Sequence, residues 1–115
     1  MEKLIQYCTK ESLYDGPFNG KVGWHAAGMG YIIVTENGIA TSDDSRRVKF
    51  IRRALAGVQS CIEDGIPVKG YCHWSLLDNF EWQKGFSMTF GLIAVDRKTQ
   101  IRYPKGSLVY LGRCK

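Results

Sequence analysis

One stretch limits this chain more than any other. Tyr31-Ile32-Ile33-Val34-Thr35 is an unbroken run of aromatic and β-branched residues. Such a run marks a strand covered on both faces, as in a parallel sheet. A parallel partner cannot be reached through a tight turn and needs a crossover, usually a helix. The next residues supply one. Ser42-Asp43-Asp44-Ser45 offers several side chains able to cap a helix start. Val48, Ile51, Leu55, Val58 and Ile62 then recur at alternating steps of three and four, a stripe expected to bury against the sheet. Cys61 lies beside that stripe and reads as a small core residue. Asp64-Gly65 ends the helix, glycine being available for the left-handed residue past its end. Residues 68–75 read as a second strand. Residues 31–75 are thus expected to form a right-handed βαβ unit.

The flanks are less regular. After Ser75 comes a loop rich in acidic and aromatic residues, 76–88. Phe90-Gly91-Leu92-Ile93-Ala94-Val95 and Gln100-Ile101-Arg102-Tyr103 flank a polar turn and predict a hairpin. Pro104 and Ser107 can open a short final helix to about Leu111. Residues 1–30 form a distinct, loop-rich segment, with turn signals at Asp15-Gly16-Pro17 and Asn19-Gly20. Only residues 4–9 look like a strand there. No internal repeat is visible.

Length and composition exclude several classes. A chain of 115 residues has room for one core. Its apolar runs are a few residues long, far short of the ~20 that span a bilayer, and no secretory signal opens it. Membrane partners are therefore not expected, and the cytoplasm is the expected location. Cys8, Cys61, Cys72 and Cys114 have no metal-ligand spacing and read as reduced thiols. His25 stands alone, so neither a metal nor another cofactor is expected. His73 reads as a packed or hydrogen-bonded residue. The formal charge of +5 leaves nucleic acid open without requiring it. Arg46, Arg47, Lys49, Arg52 and Arg53 read as the solvated outer face of the helix, with a nucleic-acid-binding face as the rival, so a nucleic-acid partner is not expected.

In parallel sheets, ligands bind beyond the carboxyl ends of the strands. Two segments lie there: Thr35-Glu36-Asn37-Gly38 and His73-Trp74-Ser75-Leu76-Leu77-Asp78-Asn79-Phe80-Glu81-Trp82. Glu36 and Glu81 bring carboxylates, and Trp74 and Trp82 bring indoles. That pairing suits a sugar, whose C–H face stacks on an indole while a carboxylate takes its hydroxyls. The same residues also fit a bland reading, with the tryptophans in the core and the glutamates solvated.

These segments resemble glycoside hydrolase family 1, the β-glucosidase and β-galactosidase family. Thr35-Glu36-Asn37-Gly38 is similar to its nucleophile signature, GIPVKGYCHWSLLDNFEW over 65–82 to its glycone-binding signature, and FGLIAVDRKTQIRYPK over 90–105 to its ending. The resemblance is closest to the bacterial and archaeal branch and departs at Gly106, where proline or a basic residue is usual. It implies a β-glycosidase that cleaves O-glycosyl bonds of a β-linked sugar with retention. By resemblance Glu36 is the nucleophile, Trp74 stacks beneath the glycone, Glu81 grips two hydroxyls and Trp82 bonds a third.

The same resemblance implies an α/β fold that is only part of a (β/α)₈ TIM barrel, which needs upwards of ~200 residues. Residues 31–115 correspond to the last two barrel strands with their helices, and carry parallel strands, a crossover helix and a C-terminal hairpin. LIQYCTKESLYDGP over 4–17 is faintly similar to the sixth-strand region. There the family's tyrosine that bonds the nucleophile falls at Cys8, with Tyr7 one step away. The family's acid/base glutamate sits in a Thr-x-Asn-Glu-Pro-type motif that these residues do not contain. The chain alone is therefore expected to be poor at hydrolysis, a truncated β-glycosidase or a silent sugar-binding or structural remnant. Strand edges that a complete barrel would cover imply exposed apolar surface, and either self-association or pairing with the missing portion.

Overall fold

The computed structural model of the chain describes residues 32–114. Expectations about residues 1–30, among them the 4–9 strand, Tyr7, Cys8 and His25, fall outside the described residues. β1 (Ile32–Asn37), α1 (Asp44–Glu63) and β2 (Val68–His73) follow in order. The two strands pair in parallel, with Val34 opposite Tyr71 and Asn37 opposite His73. The βαβ reading therefore holds in its elements and pairing.

Both ends of α1 are built by local chemistry. The Asp43 carboxylate accepts from the Ser45 N–H at 2.9 Å. That bond holds the Asp43 carboxyl below the usual carboxylate range. At the far end Gly65 adopts φ +82°. Its N–H donates to the Ile62 carbonyl at 3.0 Å, and the Ile66 N–H to the Cys61 carbonyl at 2.9 Å. This is the paired closure that a left-handed glycine allows after a helix.

The face that α1 buries is turned from the expected stripe. Arg47, Phe50, Ile51, Ala54 and Cys61 are buried, whereas Val48, Leu55 and Val58 are half-buried. Ile62 is 46% exposed. The reason is that α1 packs against β2 and also against the C-terminal helix, so the buried arc follows two neighbours rather than one sheet. β1 departs similarly. The sequence predicts a strand covered on both faces, yet Ile33 is 48% exposed; α1 packs on β2.

Beyond β2 the chain continues alongside residues 90–93. The Leu92 N–H donates to the Ser75 carbonyl at 3.0 Å, the Ile93 N–H to the Leu76 carbonyl at 2.9 Å, and the Asp78 N–H to the Ile93 carbonyl at 2.9 Å. β3 (Ile93–Val95) and β4 (Arg102–Pro104) then form the expected hairpin, with Ala94 opposite Tyr103. The Asp96 carboxylate shapes its turn by accepting from the N–H groups of Thr99 and Lys98, each at 2.8 Å. α2 (Gly106–Arg113) closes the described chain. Pro104 ends β4 instead of opening this helix, a strand-end place that its missing N–H permits.

One polar knot joins these pieces. Arg47 is wholly buried. Its guanidinium donates to the Asp44 carboxylate at 2.5 Å, to the Thr41 carbonyl at 2.6 Å and to the Thr89 carbonyl at 2.5 Å. Asp44 also accepts from the Ser107 N–H at 2.8 Å and from its hydroxyl at 2.7 Å. The first turn of α2 is thus capped from 63 positions away, since Lys105 at its own cap position makes no side-chain bond there. Burial alone would raise the Asp44 carboxyl. Its bonds from Ser107 and Arg47 outweigh that and hold it below the ordinary value. Arg47 is accordingly no part of a solvated basic face, although Arg46, Lys49, Arg52 and Arg53 are exposed.

Asp44→Ala should uncap α2 and leave a buried guanidinium without its counter-charge. A loss of about 2–4 kcal/mol in urea unfolding is expected. A change within measurement error would show that the knot does not hold the helices together.

Candidate functional site

The carboxyl ends of β1 and β2 lie side by side, and their last residues are cross-linked. The Asn37 carbonyl accepts the Trp74 N–H at 3.0 Å. The Asn37 side-chain oxygen accepts the Tyr71 hydroxyl at 2.9 Å. Gly38 then passes so close to the next strand end that a β-carbon there would overlap the Trp74 carbonyl oxygen. Glycine is the residue that this approach tolerates. The Trp74–Ser75 peptide is cis. Glu36, one residue before Asn37, is exposed at this end of the sheet. The structure therefore brings the backbone segments of Glu36 and Trp74 together where parallel sheets take ligands.

Glu81 and Trp82 sit further out, on the loop between β2 and β3. Among the described residues, no hydrogen bond joins either of them to Glu36. The loop tip is closed by its own backbone: the Glu81 N–H donates to the Gly85 carbonyl at 2.7 Å and the Gly85 N–H to the Trp82 carbonyl at 3.1 Å. Trp82 opens a short 3₁₀ turn, Trp82–Lys84, with φ +43°. A left-handed backbone costs an aromatic residue roughly 1–2 kcal/mol. The side chain gains little burial in return, being 81% exposed. With Phe80 and Gln83 it lines an open cleft. Glu81 is half-buried, and its Oε2 atom is enclosed with no hydrogen-bond partner among the described residues. A carboxylate oxygen enclosed in this way is an acceptor awaiting a donor.

The residue that anchors this loop was not singled out from the sequence. Asp78 is buried, and its carboxylate accepts from the Lys105 ammonium at 2.9 and 3.1 Å and from the Gly91 N–H at 2.7 Å. Lys105 also donates to the Gly91 carbonyl at 2.7 Å. Asp78 lies inside the quoted motif, but its partners stand 13 and 27 positions later, beyond any local pattern.

His73 has the packed setting expected of it. Its Nε2 lies 3.4 Å from the Phe90 carbonyl, and its Nδ1 is buried with no partner among the described residues. Burial pushes its pKa down to about 4, the nearby Arg47 charge adding to that and the Phe90 carbonyl opposing it. Among the described residues no three His, Cys, Asp or Glu side chains converge as metal ligands. Cys61, Cys72 and Cys114 are free thiols. No helix of the described residues is long and apolar enough to cross a membrane.

The His73 setting sets a pH dependence. Its folded pKa lies below the ordinary value of 6.5. The unfolded chain therefore takes up a proton first as pH falls, and the His73 contribution should lower stability between about pH 6.5 and 4 and level off below, where the depressed carboxyls of Asp43 and Asp44 take over. Urea midpoints across that range should show the drop, and His73→Gln should flatten it. An equal drop in both proteins would exclude His73 as the source.

Comparison with known proteins follows the same residues. Residues 25–114 match the profile of Glycosyl hydrolase family 1. The chain is 46% identical over 88 residues to Beta-glucosidase 42 of Arabidopsis thaliana, covering 66% of this chain and 18% of that one. It is 42% identical over 99 residues to a Beta-galactosidase of Pyrococcus woesei, covering 86% of this chain and 19% of the other. Among solved structures, that of the apo form of a beta-glucosidase, 1317, superposes with a TM-score of 0.71 at 60% identity, over 72% of this chain and 21% of its own. The chain thus spans about a fifth of the length of the relatives it matches.

Proposed function

The chain belongs to glycosyl hydrolase family 1, and from that premise we propose that it carries the nucleophile and the sugar-holding half of a retaining β-glycosidase site. In this reading β1 and β2 are the last two strands of a (β/α)₈ barrel. Glu36 attacks the anomeric carbon and displaces the leaving oxygen, forming a glycosyl ester. Trp74 stacks beneath the sugar ring, Glu81 takes two hydroxyls and Trp82 a third. The observation that carries the reading is the lock between Asn37 and Trp74, which sets the Glu36 segment beside the Trp74 segment at the carboxyl ends of parallel strands. The unpartnered Glu81 oxygen supports it, because a sugar hydroxyl is the donor it lacks.

A retaining mechanism also needs an acid/base carboxyl ~5–5.5 Å from the nucleophile. A Glu81 carboxylate bonded to sugar hydroxyls is stabilised in its charged form and makes a poor acid. The Thr-x-Asn-Glu-Pro-type motif that bears the family's acid is not in these 115 residues, and in this reading the acid is supplied from elsewhere. Without it, glycosides with ordinary leaving groups should react about 10²–10⁴-fold more slowly.

The test is incubation with a 2-fluoro glycoside bearing a dinitrophenyl leaving group, followed by mass spectrometry. One adduct is expected, on the peptide holding Glu36, and none in Glu36→Gln. Sugar binding without any adduct would instead identify a silent sugar-binding remnant. Brisk turnover of an unactivated disaccharide by the purified chain would overturn the division of roles and give the acid to Glu81 or to a partner chain.

A further inference from the structure

The loop that bears Glu81 and Trp82 is tied at its base and closed at its tip. Neither tie sets the angle at which the tip stands. At the base, Leu77 bridges Ile93, and Lys105 holds the Asp78 side chain. At the tip, among the described residues, the 81–85 turn bonds to itself and, through the Lys84 carbonyl, to the N–H and hydroxyl of Ser87 just past it. One side chain touches both limbs between these ties. The Arg97 guanidinium donates to the Asp78 carbonyl on the outgoing limb. On the returning limb it lies 4.2 Å over the Phe86 ring. Phe86 in turn meets Phe80 edge-on, with centroids 5.3 Å apart and planes at 73°. The chain between these contacts, 79–85, contains Glu81 and Trp82.

Arg97 is itself held in place. It sits in the β3–β4 turn, where the Asp96 carboxylate accepts from the N–H groups of Lys98 and Thr99. The Gln100 side-chain amide donates to the Arg97 carbonyl at 2.9 Å. The turn closes with a Gln100 N–H bond to the Asp96 carbonyl at 2.8 Å. The guanidinium therefore projects from a fixed backbone. Its two contacts require different parts of one group, a flat cationic face for the ring and an in-plane N–H for the carbonyl. Lysine offers the charge without the face.

We propose that Arg97 is a positioning residue. From the hairpin turn it sets the orientation of the Glu81–Trp82 loop, and through the loop the hold on the sugar; this rests on the sugar-site reading above. Arg97, Phe80 and Phe86 are all exposed, so the clamp orders the loop while contributing little to the core.

The experiment uses the full 115-residue chain, labelled with 5-fluorotryptophan. The ¹⁹F signals of Trp24, Trp74 and Trp82 are assigned by Trp→Phe substitution at each position. Arg97→Ala should move or broaden the Trp82 signal and leave the Trp74 signal in place, with the urea midpoint unchanged. Arg97→Lys should resemble Arg97→Ala, because charge alone does not rebuild the clamp. Affinity for deoxynojirimycin, a glucose-shaped iminosugar, should fall about five- to tenfold in both variants. An unchanged Trp82 signal in Arg97→Ala would overturn the proposal. So would equal changes at Trp74 and Trp82 with a lowered midpoint, which mark a general structural role. If the parent chain fails to bind the iminosugar, the sugar reading falls, and the Trp82 signal still decides whether Arg97 sets the loop.

Discussion

The Asp44 carboxylate is the point on which the described structure turns. It is in the first turn of α1 and bonds into the first turn of α2, while neutralising an arginine with no exposed surface. Anions are favoured at helix N-termini because the first N–H groups have no partners within the helix. Here one side chain serves two helices. Arg47 extends the same knot to the Thr41 and Thr89 carbonyls, which reach from the β1–α1 connection to the segment before Phe90. Without this group, α2 would have an uncapped start and Arg47 an uncompensated charge, an arrangement far more costly than an exposed pair would be.

Around that knot, the ligand end of the molecule is assembled mostly from backbone. Asn37 and Gly38 hold the end of β1 against Trp74. Asp78 and Lys105 hold the base of the following loop. The side chains to which the proposal gives chemistry have few partners among the described residues: exposed Glu36, exposed Trp82, and Glu81 with one oxygen unsatisfied. Support and function are thus divided between different residues, and rigid backbone carries under-used polar groups toward solvent.

Much of this was legible from local pattern. The Asp43 cap, the Gly65 stop, the parallel strands and the hairpin each rest on chemistry within a few residues, and each appears where expected. The departures come from contacts beyond the local pattern. Arg47 reads as a surface cation and Ile62 as core, yet the first is buried and the second is 46% exposed. What reverses them is packing against α2, whose link to α1 spans 63 positions. Pro104 reads as a helix opener for a different reason, and its place is decided by pairing with Ile93 across the hairpin. In the candidate site, the motifs give roles to Glu36, Trp74, Glu81 and Trp82, whereas Asp78, Lys105 and Arg97 lie in the same stretches with no local sign of what they bond. A motif shows which groups could meet a ligand. The groups that aim them are chosen by three-dimensional neighbours.

The double duty of Asp44 also has a meaning for descent. Its two oxygens are matched to one N–H and one hydroxyl of Ser107, a residue with no exposed surface. A change at either position removes a bond that the other uses, so the effects of changing both will not simply add. Positions 44 and 107 are therefore coupled. A lineage that exchanged its C-terminal helix for another would have to inherit the start of the crossover helix along with it.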